Sequence, residues 1–138
     1  MSLAFDAVEV GQELPPLELP PLTRTTLALY AGASGDHNPI HIDIDFARQA
    51  GMPDVFAHGM LSMAWLGRML TGWTAQRNLR EFTVRFSAIT QVGERITCQG
   101  RVAEKLERDD ERLVRVEVKT TNEAGEVKLV GEALIALP

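Results

Sequence analysis

The segment from Gly59 to Thr71 reads GMLSMAWLGRMLT and places apolar side chains around nearly the whole circumference of a helix. A helix that is apolar on all sides is expected to be buried on all sides. The segment is too short to cross a bilayer, which takes about 20 apolar residues. We therefore predict that it is the central helix of a soluble core.

Four segments with strand character follow Gly72. In the first, Phe82, Val84 and Phe86 alternate with polar residues, which is typical of a half-buried strand. The other three begin near charged residues, at Glu94, Arg112 and Glu126. Turn sequences join them, at Asp109–Asp110 and Ala124–Gly125. The pattern predicts an α+β domain in which an antiparallel meander wraps around the buried helix. Because such a sheet leaves an open edge, we expect the chain to dimerise.

Shorter elements are predicted before the central helix. Prolines in the segment 8–22 favour an irregular or short edge strand. Thr23 can cap a helix that reads TRTTLALYAGAS. Asp43 or Asp45 can cap a second, short helix that stops at Gly51.

The composition limits the classes of partner. The chain has 138 residues, which fits a single domain over residues 1–138. Its net charge of −5, with both signs interspersed, makes nucleic acid or an anionic membrane an unexpected partner. The start, MSLAFDAVEV, lacks a basic segment ahead of an apolar one, so we expect no secretory signal and a cytoplasmic location. Cys98 is the single cysteine and lies in a strand-like run, which indicates a small buried hydrophobe rather than a nucleophile.

Residues 35–41 read GDHNPIH and bring an acid, an amide and a histidine close together. Pro39 disfavours a helix and pushes Asn38 toward extended backbone, so Asp36 to His41 should form a turn or a stiff loop. Such a loop can aim Asp36 and His41 at one point, as general acid–base catalysis requires. Because Asp and Asn beside Gly and Pro are also ordinary turn residues, turn chemistry alone is an alternative.

The histidines of this loop allow two further interpretations. His41 lies between two isoleucines, and a neutral imidazole there needs a hydrogen-bond partner, for which Asp36 is the nearby group. It can therefore be a structural histidine. A metal site is the other interpretation, because His37 and His41 are followed by Asp43 and Asp45. That spacing gathers ligands only on a helix, which the intervening proline opposes, so we expect no metal.

Over nearly its full length the sequence resembles a known family, the MaoC-like (R)-specific enoyl-thioester hydratases and (3R)-hydroxyacyl-thioester dehydratases of the hotdog fold. The resemblance is carried by the signature G-D-x-N-P-[IL]-H at Gly35–His41, by A-H-G-M-L at Ala57–Leu61 and by the closing strand GEALIALP. The N-terminal region is also similar to a mycobacterial fatty-acid dehydratase subunit that works in a heterodimer.

The resemblance implies the reaction and the groups that perform it. Hydration of a 2-enoyl thioester needs a base to activate water and an acid to protonate the α carbon, and Asp36 and His41 match the catalytic pair of the family. Gly59 matches the position whose backbone N–H stabilises the enolate oxygen. The same role follows from helix physics, because unpaired N–H groups and the positive end of the dipole meet at a helix N-terminus.

Other residues take supporting roles in this interpretation. His58 matches a family position and is expected to pack the loop or shape the carbonyl pocket, while Asn38 orders the loop or fixes the water. The methionines of the central helix, Met60 and Met63 among them, are expected to be packing or to line a pocket for the acyl chain. Some stand-alone relatives carry a supporting serine where this chain has Gly67, and Ser62 cannot be assumed to replace it.

The expected ligand is an acyl-CoA or acyl carrier protein (ACP) thioester, with no cofactor. We expect a homodimer, or a heterodimer with a related hotdog subunit. Two other functions compete. A hotdog thioesterase usually has a carboxylate on or near the central helix, but residues 59–71 contain no Asp or Glu. A non-catalytic subunit is the second, against which the presence of both Asp36 and His41 argues.

Overall fold

The computed structural model describes residues 3–138, so Met1 and Ser2 of the N-terminal segment lie outside the described residues. Within residues 3–138, three α-helices and five strands follow in the order β1, α1, α2, α3, β2, β3, β4, β5. Their bounds are β1 Leu17–Glu18, α1 Arg24–Ser34, α2 Ile44–Gln49, α3 Gly59–Trp73, β2 Leu79–Phe86, β3 Thr97–Arg108, β4 Glu111–Thr121 and β5 Val127–Ala136. Short 3-10 turns lie at Phe5–Ala7, Pro39–His41 and Gln76–Asn78.

The five strands form one antiparallel sheet in the order β1-β3-β4-β5-β2. The predicted meander is therefore confirmed for β3, β4 and β5 but wrong for β2, which pairs with β5 at the far side. Gly131 permits this pairing, because a Cβ at that position would lie 2.0 Å from the carbonyl oxygen of Thr83. The two-residue strand β1 confirms the short edge strand predicted within residues 8–22, and β2 forms the opposite edge.

Helix α3 packs one face against the concave side of the sheet. Leu66 and Leu70 are 0% exposed, and Met69 reaches β3, since its Cε would lie 3.1 Å from a Cβ added at Gly100. The opposite face is open, however, and Met60 is 57% exposed. The prediction of burial on all sides is thus wrong for the isolated chain, because a single five-stranded layer covers a helix from one side only.

The predicted caps and turns are largely confirmed. The Thr23 side chain accepts a hydrogen bond from the Thr26 N–H at the start of α1, and Gly35 ends that helix at φ 78°. Of the two aspartates proposed for α2, Asp43 is the cap. The hairpin turn between β3 and β4 holds Asp109 at φ 53° and its neighbour at φ 63°.

Cys98 is fully buried in β3, and burial raises the pKa of its thiol to about 12. The prediction that it packs rather than reacts agrees with this environment. No helix within residues 3–138 has both the length and the apolar character needed to cross a membrane.

Candidate active site

The loop after α1 is shaped by side chains that bond their own backbone. Asp36 Oδ1 accepts a hydrogen bond from the Asn38 N–H at 3.2 Å, and Asn38 Oδ1 accepts one from the Ile40 N–H at 3.1 Å. Ser34 Oγ holds the Asp36 N–H at 3.1 Å. The 3-10 turn then begins at Pro39. Turn chemistry is therefore present, and it fixes the direction of the Asp36 carboxylate, whose Oδ2 accepts no hydrogen bond from the described residues.

His41 sits at the end of this turn and is half-buried. Its Nδ1 lies 2.8 Å from the carbonyl oxygen of Phe56. Because a carbonyl only accepts, Nδ1 carries the proton of the neutral ring and Nε2 keeps a free lone pair. The expected hydrogen bond from His41 to Asp36 is wrong, since Phe56 is the partner. The side-chain ligand atoms of Asp36, His41 and His58 nevertheless all lie within 4.8 Å of one another.

His58 is 1% exposed and forms the back of the site. Its Nε2 lies 3.2 Å from the main-chain oxygen of Asp36, to which it donates, and its ring stacks on that of His41 with centroids 4.0 Å apart. Tyr30 packs edge-on against the other side at 4.7 Å. Burial lowers the pKa of His58, and the neighbouring His41 lowers it further, so this environment favours the neutral ring. Its buried Nδ1 has no hydrogen-bond partner within residues 3–138.

The N-terminus of α3 lies next to these groups. His58 is the N-cap residue and makes no side-chain cap bond, so the N–H groups of Gly59 and Met60 have no acceptor within the helix. A Cβ at Gly59 would lie 3.2 Å from the Phe86 ring. The absence of a side chain therefore keeps a narrow approach to the helix N-terminus open.

A cavity of about 280 Å³ joins His41 to Gly59. Ser62 and the loop Ser87–Thr90 also line it, as does Phe86, which is 51% exposed at its mouth. The sequence does not predict a role for this loop, because the loop carries no motif. Ser62 was not assigned to the site either, although it lies three residues after Gly59 and therefore on the same helix face.

Of the predicted site residues, only His41 and Gly59 line this cavity, and Asp36 and His58 lie next to it beside His41. Asn38 serves the turn described above. Met60 is exposed and Met63 is half-buried on the open side of α3, and neither lines the cavity. A larger cleft of about 910 Å³ runs over the outer face of the sheet. Its charges are solvent-exposed, as in the Arg101–Glu117 pair, where both side chains are 58% exposed.

The groups that could hold a metal are Asp36, His41 and His58. Of the set considered from the sequence, only His41 belongs to this cluster. The free lone pair of His41 Nε2 and the unpartnered Nδ1 of His58 are donors of the kind that zinc accepts. A metal ion is therefore chemically compatible with the cluster, and chelation is a necessary control for any acid–base account.

The sequence of this chain matches a known protein family. The family model described as "MaoC like domain" matches residues 7–124. The chain belongs to the MaoC-like domain family. A 3-hydroxybutyryl-CoA dehydratase from Methylorubrum extorquens is 32% identical over 99% of this chain and 85% of its own length. The chain is also 31% identical to the fatty acid synthase subunit beta of Saccharomyces cerevisiae, over 95% of this chain but only 6% of that protein.

Among solved structures, this MaoC-like domain is similar to the unliganded R-hydratase PhaJ1 from Pseudomonas aeruginosa. The TM-score is 0.87 with 29% identity, and the match covers 99% of this chain and 86% of that one. The (R)-hydratase from A. caviae involved in PHA biosynthesis matches with a TM-score of 0.79 at 27% identity, over 96% of this chain and 98% of that one. The curled antiparallel sheet around α3 is thus a hotdog fold, as predicted.

Proposed function

We propose that this MaoC-like domain, as a single unit over residues 1–138, reversibly hydrates 2-enoyl thioesters of CoA or ACP to (3R)-hydroxyacyl thioesters. The proposal rests on three groups that lie close together. A carboxylate oxygen of Asp36 and a ring nitrogen of His41 lie within 4.8 Å of each other, and the cavity beside His41 leads to the N-terminus of α3 at Gly59. Relatives named (R)-specific enoyl-CoA hydratase and 3-hydroxybutyryl-CoA dehydratase are similar in sequence, and the R-hydratase PhaJ1 is similar in structure.

In the proposed reaction, a water molecule is held by hydrogen bonds between the Asp36 carboxylate and Nε2 of His41. As the water oxygen bonds to C3 of the substrate, one of its protons passes to this pair and the C2=C3 electrons move onto the thioester carbonyl. The resulting enolate collapses, and C2 takes the proton that the pair retained. The atoms of one water molecule are thereby added with no net proton change, and dehydration is the reverse sequence.

The Gly59 N–H is proposed to donate to the enolate oxygen. A donor directed at developing negative charge contributes about 3–4 kcal/mol to the transition state. The dipole of α3 adds to this field. His58 is proposed to act by holding the main chain of Asp36, because its Nε2 donates to the Asp36 carbonyl oxygen and its ring is buried away from solvent.

The active assembly is proposed to be a dimer joined through β2. This strand is the outer member of the sheet beside β5, so one of its edges has no partner strand within residues 3–138. Phe86 at the end of β2 is exposed beside the cavity, and Met60, the residue after Gly59, is exposed on the open face of α3. A second hotdog subunit would cover these surfaces and enclose the acyl chain. The second subunit is a copy of this chain or a related one. A cytoplasmic location stays a prediction.

The test is hydration of crotonyl-CoA by the purified chain, with the configuration of the 3-hydroxy product resolved by chiral chromatography. We expect the (R) product, unchanged activity after treatment with EDTA, and a dimer by light scattering. Release of free CoA thiol without hydration would instead indicate a thioesterase. Loss of activity with EDTA and recovery with zinc would overturn the acid–base mechanism. An active monomer would refute the shared site, and activity only with a related subunit would identify a heterodimer.

A further inference from the structure

A buried lysine, Lys128, contacts the loop that lines the cavity but does not itself line the cavity. Lys128 in β5 is 2% exposed, and its Nζ donates to the carbonyl oxygen of Ile89 at 2.8 Å. It also lies 3.0 Å from Glu94 Oε1 and pairs with the carboxylate of Glu126. Burial alone lowers the pKa of Lys128, but the two carboxylates outweigh it and raise the pKa, so the ammonium group stays charged. A buried charge is retained only with such partners.

Glu94 extends the same network along the loop between β2 and β3. Its Oε2 accepts a hydrogen bond from the Gln91 N–H at 2.6 Å, and its Oε1 accepts one from Asn122 Nδ2 at 2.8 Å. Lys128 therefore holds the loop at residue 89, and Glu94 holds it two residues later. The segment 87–91 is fixed to β5 and to the end of β4 by charge-assisted hydrogen bonds.

The fixed segment is hydrogen-bonded to the residues just before α3 that orient His41. The Ala57 N–H donates to the carbonyl oxygen of Thr90 at 2.9 Å, and Phe56 pairs with Gln91 as an antiparallel bridge. The carbonyl oxygen of Phe56 is in turn the acceptor for His41 Nδ1 at 2.8 Å. A continuous set of hydrogen bonds thus links the buried ion pair to the imidazole.

We propose that Lys128 and Glu94 are positioning residues that act through segment 87–91 on the Phe56 carbonyl, and thereby hold His41 in the tautomer with the proton on Nδ1. The catalytic consequence rests on the proposed function. The effect on His41 does not, because it concerns a hydrogen bond present in the free protein. When the support is lost, the Phe56 carbonyl moves, Nδ1 loses a fixed acceptor and the Nε2 lone pair is no longer assured.

The test combines NMR of the imidazole with kinetics on the full chain. Lys128→Met removes the charge at similar volume, and Glu94→Gln keeps most of the shape while weakening the pair. Arg115→Met is the matched control, because Arg115 makes two ion pairs on the outer face of the sheet, with Glu104 at 2.7 Å and Glu132 at 3.0 Å. Lys128→Arg tests rescue by charge.

The ¹⁵N shifts of the His41 ring report which nitrogen carries the proton. We expect Lys128→Met and Glu94→Gln to move them toward a mixture of tautomers and to lower kcat by about 10-fold to 100-fold, the usual effect of removing a supporting group, with KM changed less. Lys128→Arg should restore most of both, and Arg115→Met should alter neither.

Unchanged His41 shifts in a folded Lys128→Met chain would overturn the inference, as would an equal change in Arg115→Met. If Lys128→Met does not fold, the milder Glu94→Gln decides by the same criteria. If the chain proves to have no hydratase activity, the proposed function fails, while the NMR result still supports or overturns the link between Lys128 and His41.

Discussion

Replacement of Gly59 by alanine tests the helix N-terminus as an oxyanion site. The backbone of Gly59 does not need a positive φ, so alanine fits the helix. Its Cβ would lie 3.2 and 3.3 Å from Cε1 and Cδ1 of Phe86, which is tighter than ordinary packing. The Phe86 ring is half-exposed and can move by a few tenths of an ångström toward solvent.

The expected change in stability is small. Alanine is favoured over glycine within a helix by up to about 1 kcal/mol. Displacing an exposed ring costs about as much, so the free energy of unfolding should change by no more than about 1 kcal/mol. Gly72→Ala is the matched control, because Gly72 lies in the same helix and a Cβ there meets nothing within 4 Å.

The expected change in activity is large. The substrate carbonyl oxygen must come within about 2.9 Å of the Gly59 nitrogen to accept its hydrogen bond. The new methyl group would fill space beside the Phe86 ring, and both Gly59 and Phe86 line the cavity. We expect kcat/KM for crotonyl-CoA to fall by about 10²-fold, the scale for loss of one oxyanion donor, while Gly72→Ala stays near the parent. Adding Phe86→Leu to Gly59→Ala should relieve the contact without restoring the rate. A Gly59→Ala enzyme with normal kcat/KM would refute the assignment.

Two further predictions concern the open face of α3 and the buried ion pair. Met63→Trp should shift substrate preference toward shorter acyl chains, measured as kcat/KM across a series of enoyl-CoA lengths. Met69→Trp should instead lower the thermal midpoint of unfolding, because Met69 is buried against the sheet. Equal chain-length preference in Met63→Trp and the parent would exclude Met63 from the acyl site. Burial raises the pKa of Glu94, but hydrogen bonds from Asn122, the Gln91 N–H and Lys128 outweigh it, so the pKa is lowered overall from 4.5. The ionised carboxylate therefore stabilises the fold fully at pH values above 4.5. This stabilisation is lost as the pH falls through the lowered pKa. The difference in urea midpoint between parent and Glu94→Gln should therefore be greatest near neutral pH and shrink in acid, and a pH-independent difference would contradict this sign.

Local signals in the sequence account for most of the elements. The cap at Thr23, the glycine stop at Gly35 and the alternation in the strands depend on neighbours in the chain, so they are readable without the fold. The position of β2 in the sheet could not be read from the sequence, because it depends on long-range pairing with β5. The open face of α3 was also missed, since apolar periodicity reports burial in the final assembly rather than in one chain.

The candidate site was likewise predictable from the sequence only in part. The loop signature predicted that Asp36 and His41 point at one place, and the structure brings their side chains within 4.8 Å of each other. It did not predict that a main-chain carbonyl, at Phe56, orients the imidazole, because every residue carries a carbonyl and none is distinctive in sequence. The buried pair of Lys128 and Glu94 was likewise invisible, since both look like ordinary strand-end charges until the packing is known.

Asp36 and His41 are proposed to act as one acid–base unit, and a double-mutant cycle on kcat measures this coupling directly. We predict that Asp36→Asn and His41→Gln each lower kcat for crotonyl-CoA hydration by about 10² or more in folded protein, the scale for a general acid or base. The double variant should lose far less than the product of the two effects, because groups that share one proton transfer are non-additive. Near-normal turnover in either single variant would reduce that residue to a turn or packing element, and fully multiplicative losses would contradict a shared unit.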